Sequence, residues 1–273
     1  MKYIFLSIAT SAVVFGISFL IAGIIRKKLN KKPPIGVHIL IGIAAGLAIM
    51  CAVFFVFIGI HYPAEDEVRA VFAESGSVQV AEIDGGYLVD GKGEETALVF
   101  YPGAKVDSEA YLPQMRKLSE NGIDCFLLKP PMRMAIFDMN AAERIIGKYD
   151  YQTWLLSGHS MGGIAAASCA VKNSDVVDGV VLLASYPTGT LSSDLSLLSI
   201  YGTEDGELER DAYENAKSNY PPRSREVVIE GGNHAQFGNY GKQKGDGEAT
   251  ISREEQQERT VRAILDFAKS LSE

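Results

Sequence analysis

Apolar and polar positions change rhythm twice along this chain. Ile4–Ile25 is a run of 22 residues without a charge, and Ile35–Ile60 is a run of 26 interrupted only by His38. Each exceeds the roughly 20 residues that a helix needs to cross a hydrocarbon core. A cleaved signal peptide has an apolar core about half as long and no second apolar run behind it. The pattern therefore predicts two transmembrane helices, at about 4–25 and 37–60. From residue 63 onward, short β-rich runs alternate with longer amphipathic ones. Strands are predicted at Ala97–Tyr101, Ile123–Leu128, Thr153–Ser157, Gly179–Ala184, Leu195–Tyr201 and Glu226–Glu230. Helices are predicted near Ser108–Glu120, Asn140–Lys148, Met161–Lys172, Glu207–Ser218 and Glu254–Leu271. Such alternation gives βαβ units and a mostly parallel sheet covered on both faces. A hairpin, Val78–Ile83 and Tyr87–Val89 around Asp84-Gly85-Gly86, adds antiparallel strands at one edge. Glu67–Phe72 is a further helical candidate in the segment that enters this domain.

Charge sharpens the division into 1–62 and 63–273. Residues 1–62 contain six Lys or Arg and no acid, which leaves 20 basic and 34 acidic residues in 63–273. An acidic main domain has no surface suited to phosphate, so no nucleic-acid partner is expected. Residues 26–34 carry five cations, at Arg26, Lys27, Lys28, Lys31 and Lys32. The positive-inside rule puts that loop in the cytoplasm and both chain ends, with the domain 63–273, on the extracytoplasmic side. The three cysteines, Cys51, Cys125 and Cys169, fall in a span, a strand and a helix, and read as buried free thiols rather than a disulfide framework.

The candidate chemistry begins at Gly158-His159-Ser160-Met161-Gly162-Gly163. G-x-S-x-G between a strand and a helix is the nucleophile-elbow pattern, with small residues where a turn brings backbone segments together. A serine hydroxyl needs a base, and after the second span the chain offers His61, His159 and His234. His61 is at the membrane boundary and His159 leaves the elbow in another direction, so elimination selects His234. The base needs a carboxylate to hold its tautomer. Asp205, at a strand end, is the first choice, followed by Glu204 and then Asp194. The order Ser160, Asp205, His234 is the one expected for such a fold. Backbone N–H groups of Met161 and Ala104 are the expected oxyanion donors, with Gly103 allowing the turn.

Tyr101-Pro102-Gly103-Ala104, Gly158–Gly163, Gly202-Thr203-Glu204-Asp205-Gly206 and Gly232-Asn233-His234 together resemble the α/β-hydrolase superfamily. The resemblance covers about residues 95–270 and is nearest to small cap-less esterases related to the dienelactone hydrolases. It implies a sheet of eight strands or slightly fewer, a Ser-Asp-His triad, and acyl hydrolysis without a cofactor. Two departures limit the carry-over. Tyr101-Pro102-Gly103-Ala104 stands where many lipases have His-Gly-Gly-Gly, and position 160 is serine where the dienelactone hydrolases proper use cysteine.

Only Tyr186–Leu195 separates two predicted strands where many relatives insert a cap, so the site is expected to be open. Lys105, Tyr186 and Gln236 are the candidates for shaping the pocket. The long segment Ala235–Thr250 reads either as a surface loop or as a lid that orders on substrate. No metal-ligand cluster, phosphate-binding loop or dinucleotide fingerprint is present, so no cofactor or metal is expected. The expectation is a membrane-anchored serine hydrolase acting on a small or lipid-like acyl substrate. A catalytically silent binding ectodomain and an acyltransferase using the same triad are the alternatives.

Overall fold

The computed structural model describes residues 35–68, 77–91 and 95–271, with isolated positions at 16, 20, 23, 24, 27, 71 and 93. It divides into two compact units, residues 1–60 and 61–273. In the first, helix α1 (Ile35–Gly59) runs 25 residues without an Asp, Glu, Lys or Arg. Among the described residues, however, no helix meets the combined length and hydropathy of a membrane span. The fold by itself therefore does not establish a membrane anchor. The first predicted span and the basic loop 26–34 lie outside the described residues, apart from isolated helical positions.

The second unit is built on one sheet of eight strands in the order β1-β2-β4-β3-β5-β6-β7-β8. The strands are β1 (Gln79–Ile83), β2 (Gly86–Asp90), β3 (Thr96–Tyr101), β4 (Ile123–Leu128), β5 (Thr153–His159), β6 (Gly179–Leu183), β7 (Ser196–Gly202) and β8 (Arg223–Ile229). The β1-β2 hairpin pairs antiparallel and β2 joins β4 antiparallel, while β4, β3, β5, β6, β7 and β8 are mutually parallel. β4 and β6 are buried along their whole length, as strands covered on both faces must be.

The period-two alternation distributes their side chains between two cores. One holds Leu98, Phe100 and Leu127 against α2 (Leu112–Glu120) and α6 (Arg253–Leu271). The other holds Val99, Tyr101 and Phe126 against α3 (Ala141–Ile146) and α4 (Met161–Lys172). β8 closes the far edge with exposed Arg223, Ser224, Arg225 and Glu226, charges that discourage pairing with another sheet.

The elements depart from the sequence pattern in two informative ways. The helix expected from Glu207 begins only at Arg210, as α5 (Arg210–Ala216), and ends in a 3-10 turn Lys217–Asn219. The N–H groups of Glu207 and Leu208 go instead to the Asp205 carboxylate, at 3.0 and 2.8 Å, which holds the chain in a turn before the helix starts. Three short 3-10 turns, Pro131–Arg133, Ala135–Phe137 and Ala235–Phe237, fall where no helix was expected. They are too short to impose a hydrophobic period on the sequence. Of the candidate at Glu67–Phe72, the described residues are Glu67 and Val68, within a 3-10 turn Asp66–Val68, and Val71, which is helical. Between β6 and β7 the chain forms a loop with no helix, and nothing caps the sheet there.

Candidate active site

Among the described residues, five that are not glycine adopt positive φ, and all follow the C-terminal ends of four neighbouring strands: Lys105 after β3, Met132 and Arg133 after β4, Ser160 after β5 and Ala184 after β6. Such strained positions gather where a surrounding fold over-determines them, and ligand sites of open α/β sheets lie at this edge. Ser160, at φ 54° and ψ −124°, stands between β5 and the first residue of α4. Glycine is required on both sides. A Cβ on Gly158 would lie 2.4 Å from the Gly162 carbonyl carbon, and one on Gly162 would lie 2.1 Å from the Tyr101 oxygen. The Ser160 N–H donates to Leu183 O at 2.9 Å, and the buried Ser185 hydroxyl donates to Ser160 O at 2.7 Å.

The structure brings two of the expected side chains together directly. His234 Nδ1 lies 3.0 and 3.1 Å from the two Asp205 oxygens, and both residues are buried. The competing carboxylates are engaged elsewhere: Glu204 accepts from Thr203 Oγ1 at 3.0 Å, and Asp194 meets Ser192. His159, directly before Ser160, leaves the elbow inward rather than outward. It is 1% exposed, and its ring centroid lies 4.5 Å from that of His234, which ties the elbow to the His234 loop.

Burial, and then the electrostatic influence of the neighbouring His234 ring, hold His159 well below the usual imidazole range, so it is neutral. Burial pushes the Tyr111 phenol up, so it keeps its proton. Tyr111 Oη and His159 Nδ1 share a hydrogen bond at 2.8 Å between two uncharged groups. That phenol oxygen also accepts the Gly103 N–H at 3.1 Å.

Among the described residues, the loop after β3 leaves one backbone N–H without an acceptor. Gly103 donates to Tyr111, Lys105 to Arg133 O and Val106 to Gly103 O, whereas the Ala104 N–H has no acceptor among the described residues. Met161 is the first residue of α4, where helical N–H groups lack intrahelical partners. Both backbone candidates thus stand at the rim that carries Ser160.

The pocket candidates fare differently. Tyr186 is half-buried in the loop after β6. Lys105 uses its backbone at both ends, its carbonyl accepting from the Tyr62 N–H at 2.7 Å. Gln236 is turned away from the elbow: its amide donates to Ile251 O at 3.2 Å, and it lines a cavity of about 370 Å³ with Asn233, Lys242 and Arg253.

The segment Ala235–Thr250 is pinned, with Phe237 and Tyr240 buried. Its chief fastener, Asp246, was not anticipated. The carboxylate accepts the N–H groups of Gly206, His234 and Ala235 at 3.1, 3.2 and 2.8 Å, and so ties the Asp205 turn to the His234 loop. In the sequence it is one acid in a glycine-rich turn, Gly245-Asp246-Gly247, and nothing local marks it out. Tyr111 was missed for the same reason. Among the described residues no cluster of His, Cys, Asp and Glu is arranged to hold a metal.

A search of curated proteins finds no match. Among solved structures, alpha/beta hydrolase domain-containing protein 10 from mouse is similar at a TM-score of 0.51 and 11% identity, covering 72% of this chain and 100% of that one. The dienelactone hydrolase from Anabaena variabilis is similar at a TM-score of 0.50 and 17% identity, over 70% of this chain and 99% of the other. At such identities these likenesses establish the fold alone. The sequence pattern of the alpha/beta hydrolase family matches residues 97–258, more than half of the chain and the whole stretch from β3 to the His234 loop, and the chain belongs to that family.

Proposed function

We propose that this protein is a membrane-tethered serine hydrolase that cleaves a carboxylic ester or related acyl bond. One observation carries the reading: a buried His234 bonded through Nδ1 to Asp205, with its ring against the residue that precedes an elbow serine. A carboxylate on Nδ1 leaves Nε2 as the basic nitrogen and stabilises the imidazolium once it forms. In the proposed mechanism Ser160 Oγ attacks the acyl carbonyl carbon and passes its proton to His234. The carbonyl oxygen takes the negative charge between the N–H groups of Ala104 and Met161. Collapse expels the alcohol, which takes the proton from His234. A water then gives its proton to His234 and attacks the acyl-enzyme, which releases the acid and restores Ser160.

The test is labelling of the full-length protein in detergent by a fluorophosphonate, with wild type beside Ser160→Ala. Labelling that is lost in the variant supports an activated Ser160. An unlabelled but folded wild type would overturn the reading in favour of a silent binding domain. Ser160→Ala and His234→Ala are each expected to lower ester turnover by about 10⁴-fold or more, because such groups act as a unit.

The tether rests on the two uncharged runs and the basic loop between them. In this reading the catalytic unit faces the extracytoplasmic side. Protease added to intact cells is expected to release it, and protection would reverse the orientation.

A further inference from the structure

In the unit 61–273, six large apolar side chains are exposed among the described residues: Met132, Ile136, Phe137, Val171, Val176 and Val228. Three of the six crowd into positions 132–137, the excursion between β4 and α3. A scatter of single exposed apolar residues is ordinary, but a cluster on one loop is not. The excursion is also built to hold them out. Met132 and Arg133 sit at φ 56° and 57°, a conformation that other residues fix in place. Arg133 O accepts the Lys105 N–H at 2.8 Å, and its guanidinium pairs with Asp107. Ala135 is buried in the core beneath and packs with its turn on α4, the helix that Ser160 begins. Met139 O accepts the Tyr101 hydroxyl at 2.8 Å. With its backbone fixed at these points, the loop leaves Met132, Ile136 and Phe137 at 45%, 44% and 51% exposure.

We propose that this excursion rests on the lipid surface of the bilayer and presents Ser160 to esters held in that surface. The inference builds on the membrane-tethered hydrolase reading and names its substrate class. Two further observations select a bilayer as the occupant. The chain enters this unit at the same rim: Tyr62 N–H donates to Lys105 O at 2.7 Å, and Asp107 N–H donates to Tyr62 O at 3.0 Å. One backbone ladder thus runs from the entering chain, through the loop of the Ala104 N–H, to Arg133. Three residues before Tyr62 lies the end of the uncharged helix Ile35–Gly59. Lys129 and Arg133 flank Met132, and their side chains, 52% and 38% exposed, pair with Glu109 and Asp107, so the polar border of the excursion carries paired charges that can face headgroups. Three side chains fall well short of the roughly 800 Å² per partner of a stable protein interface, which argues against a second copy. Ser160 is two strand spacings away, about 10 Å along the same edge of the sheet.

The full-length protein would be reconstituted into phosphatidylcholine–phosphatidylglycerol vesicles, wild type beside the triple variant Met132→Ser, Ile136→Ser, Phe137→Ser. Turnover of a long-chain ester embedded in the vesicles is expected to fall about tenfold in the variant, while turnover of a short soluble ester stays unchanged. Equal turnover of the embedded ester, or equal losses on both, would overturn the proposal. A second measurement does not depend on catalysis. A fluorophore on Phe137→Cys, in a Cys51→Ser background, is expected to be quenched by spin-labelled lipid. Lack of quenching, or quenching only by a partner copy's label, would overturn the bilayer contact. Fluorophosphonate labelling of every sample separates the two readings: an unlabelled wild type condemns the serine-hydrolase mechanism, and lipid quenching still decides the fate of the excursion.

Discussion

A single carboxylate fastens the two loops that carry Asp205 and His234. Asp246→Ala would strand the part-buried N–H groups of His234 and Ala235 and expose that of Gly206 to water. Unsatisfied groups of this kind cost about 1–3 kcal/mol. The variant is expected to lose stability on that order in urea unfolding and about 10- to 100-fold in kcat, with KM for a small ester little changed, because geometry rather than binding is damaged. His159 supports a pH prediction. Burial, and then the neighbouring His234, depress its pKa in the folded protein well below the usual 6.5. Below that value the unfolded chain takes up a proton that the folded protein refuses. Stability is therefore complete above pH 6.5 and falls as the pH drops toward the folded pKa, by up to about 1.4 kcal/mol per pH unit. His159→Gln is expected to flatten the plot of unfolding free energy against pH by about one proton between about pH 5 and 6.5. An unchanged slope would show that His159 carries no such linkage. The turn at Ser160 and the meeting of Asp205 with His234 were legible because histidine is scarce and the other two residues fall at element ends. Asp246 and Tyr111 were not, because their partners lie far away in sequence.

At the scale of elements, alternation of apolar residues located all eight strands to within a few positions. Ile123–Leu128 and Met161–Lys172 have the boundaries expected of them. A strand buried on both faces must be apolar throughout, and that demand is visible locally. What blurred the other boundaries was side-chain competition for backbone groups, as when Asp205 takes two N–H groups and delays α5 to Arg210. The turns at 131–133 and 135–137 owe their form to contacts with Lys105, Tyr101 and α4, which no local pattern reports. Tyr101 shows how such contacts join elements. Its buried hydroxyl donates to Met139 O and accepts the Ala142 N–H, which binds the end of β3 to the start of α3. Tyr101→Phe is expected to lower unfolding stability by about 1–3 kcal/mol in urea titration, since both partners are left behind. A change within a few tenths would mean that water replaces the hydroxyl.

For the molecule as a whole, the split between an apolar leader and an acidic domain was plain from composition. The hydrophobic requirement of a bilayer and the charge bias of its cytoplasmic loops are properties of contiguous sequence. The membrane reading therefore rests on sequence more than on the fold. It predicts that the full-length protein stays in the membrane fraction after alkaline carbonate washing, while a chain lacking residues 1–60 does not. Release of the full-length protein would refute the anchor. Sequence alone determined the elements, their class, the absence of room for a cap and the nucleophile elbow, because each depends on neighbours a few residues apart. Tertiary structure alone decided which carboxylate meets His234, where His159 points, which N–H after β3 lacks an acceptor among the described residues, and that Met132, Ile136 and Phe137 stay exposed. Those outcomes depend on strands that are adjacent in the sheet but dozens of residues apart in the chain, and sequence spacing carries no record of that adjacency.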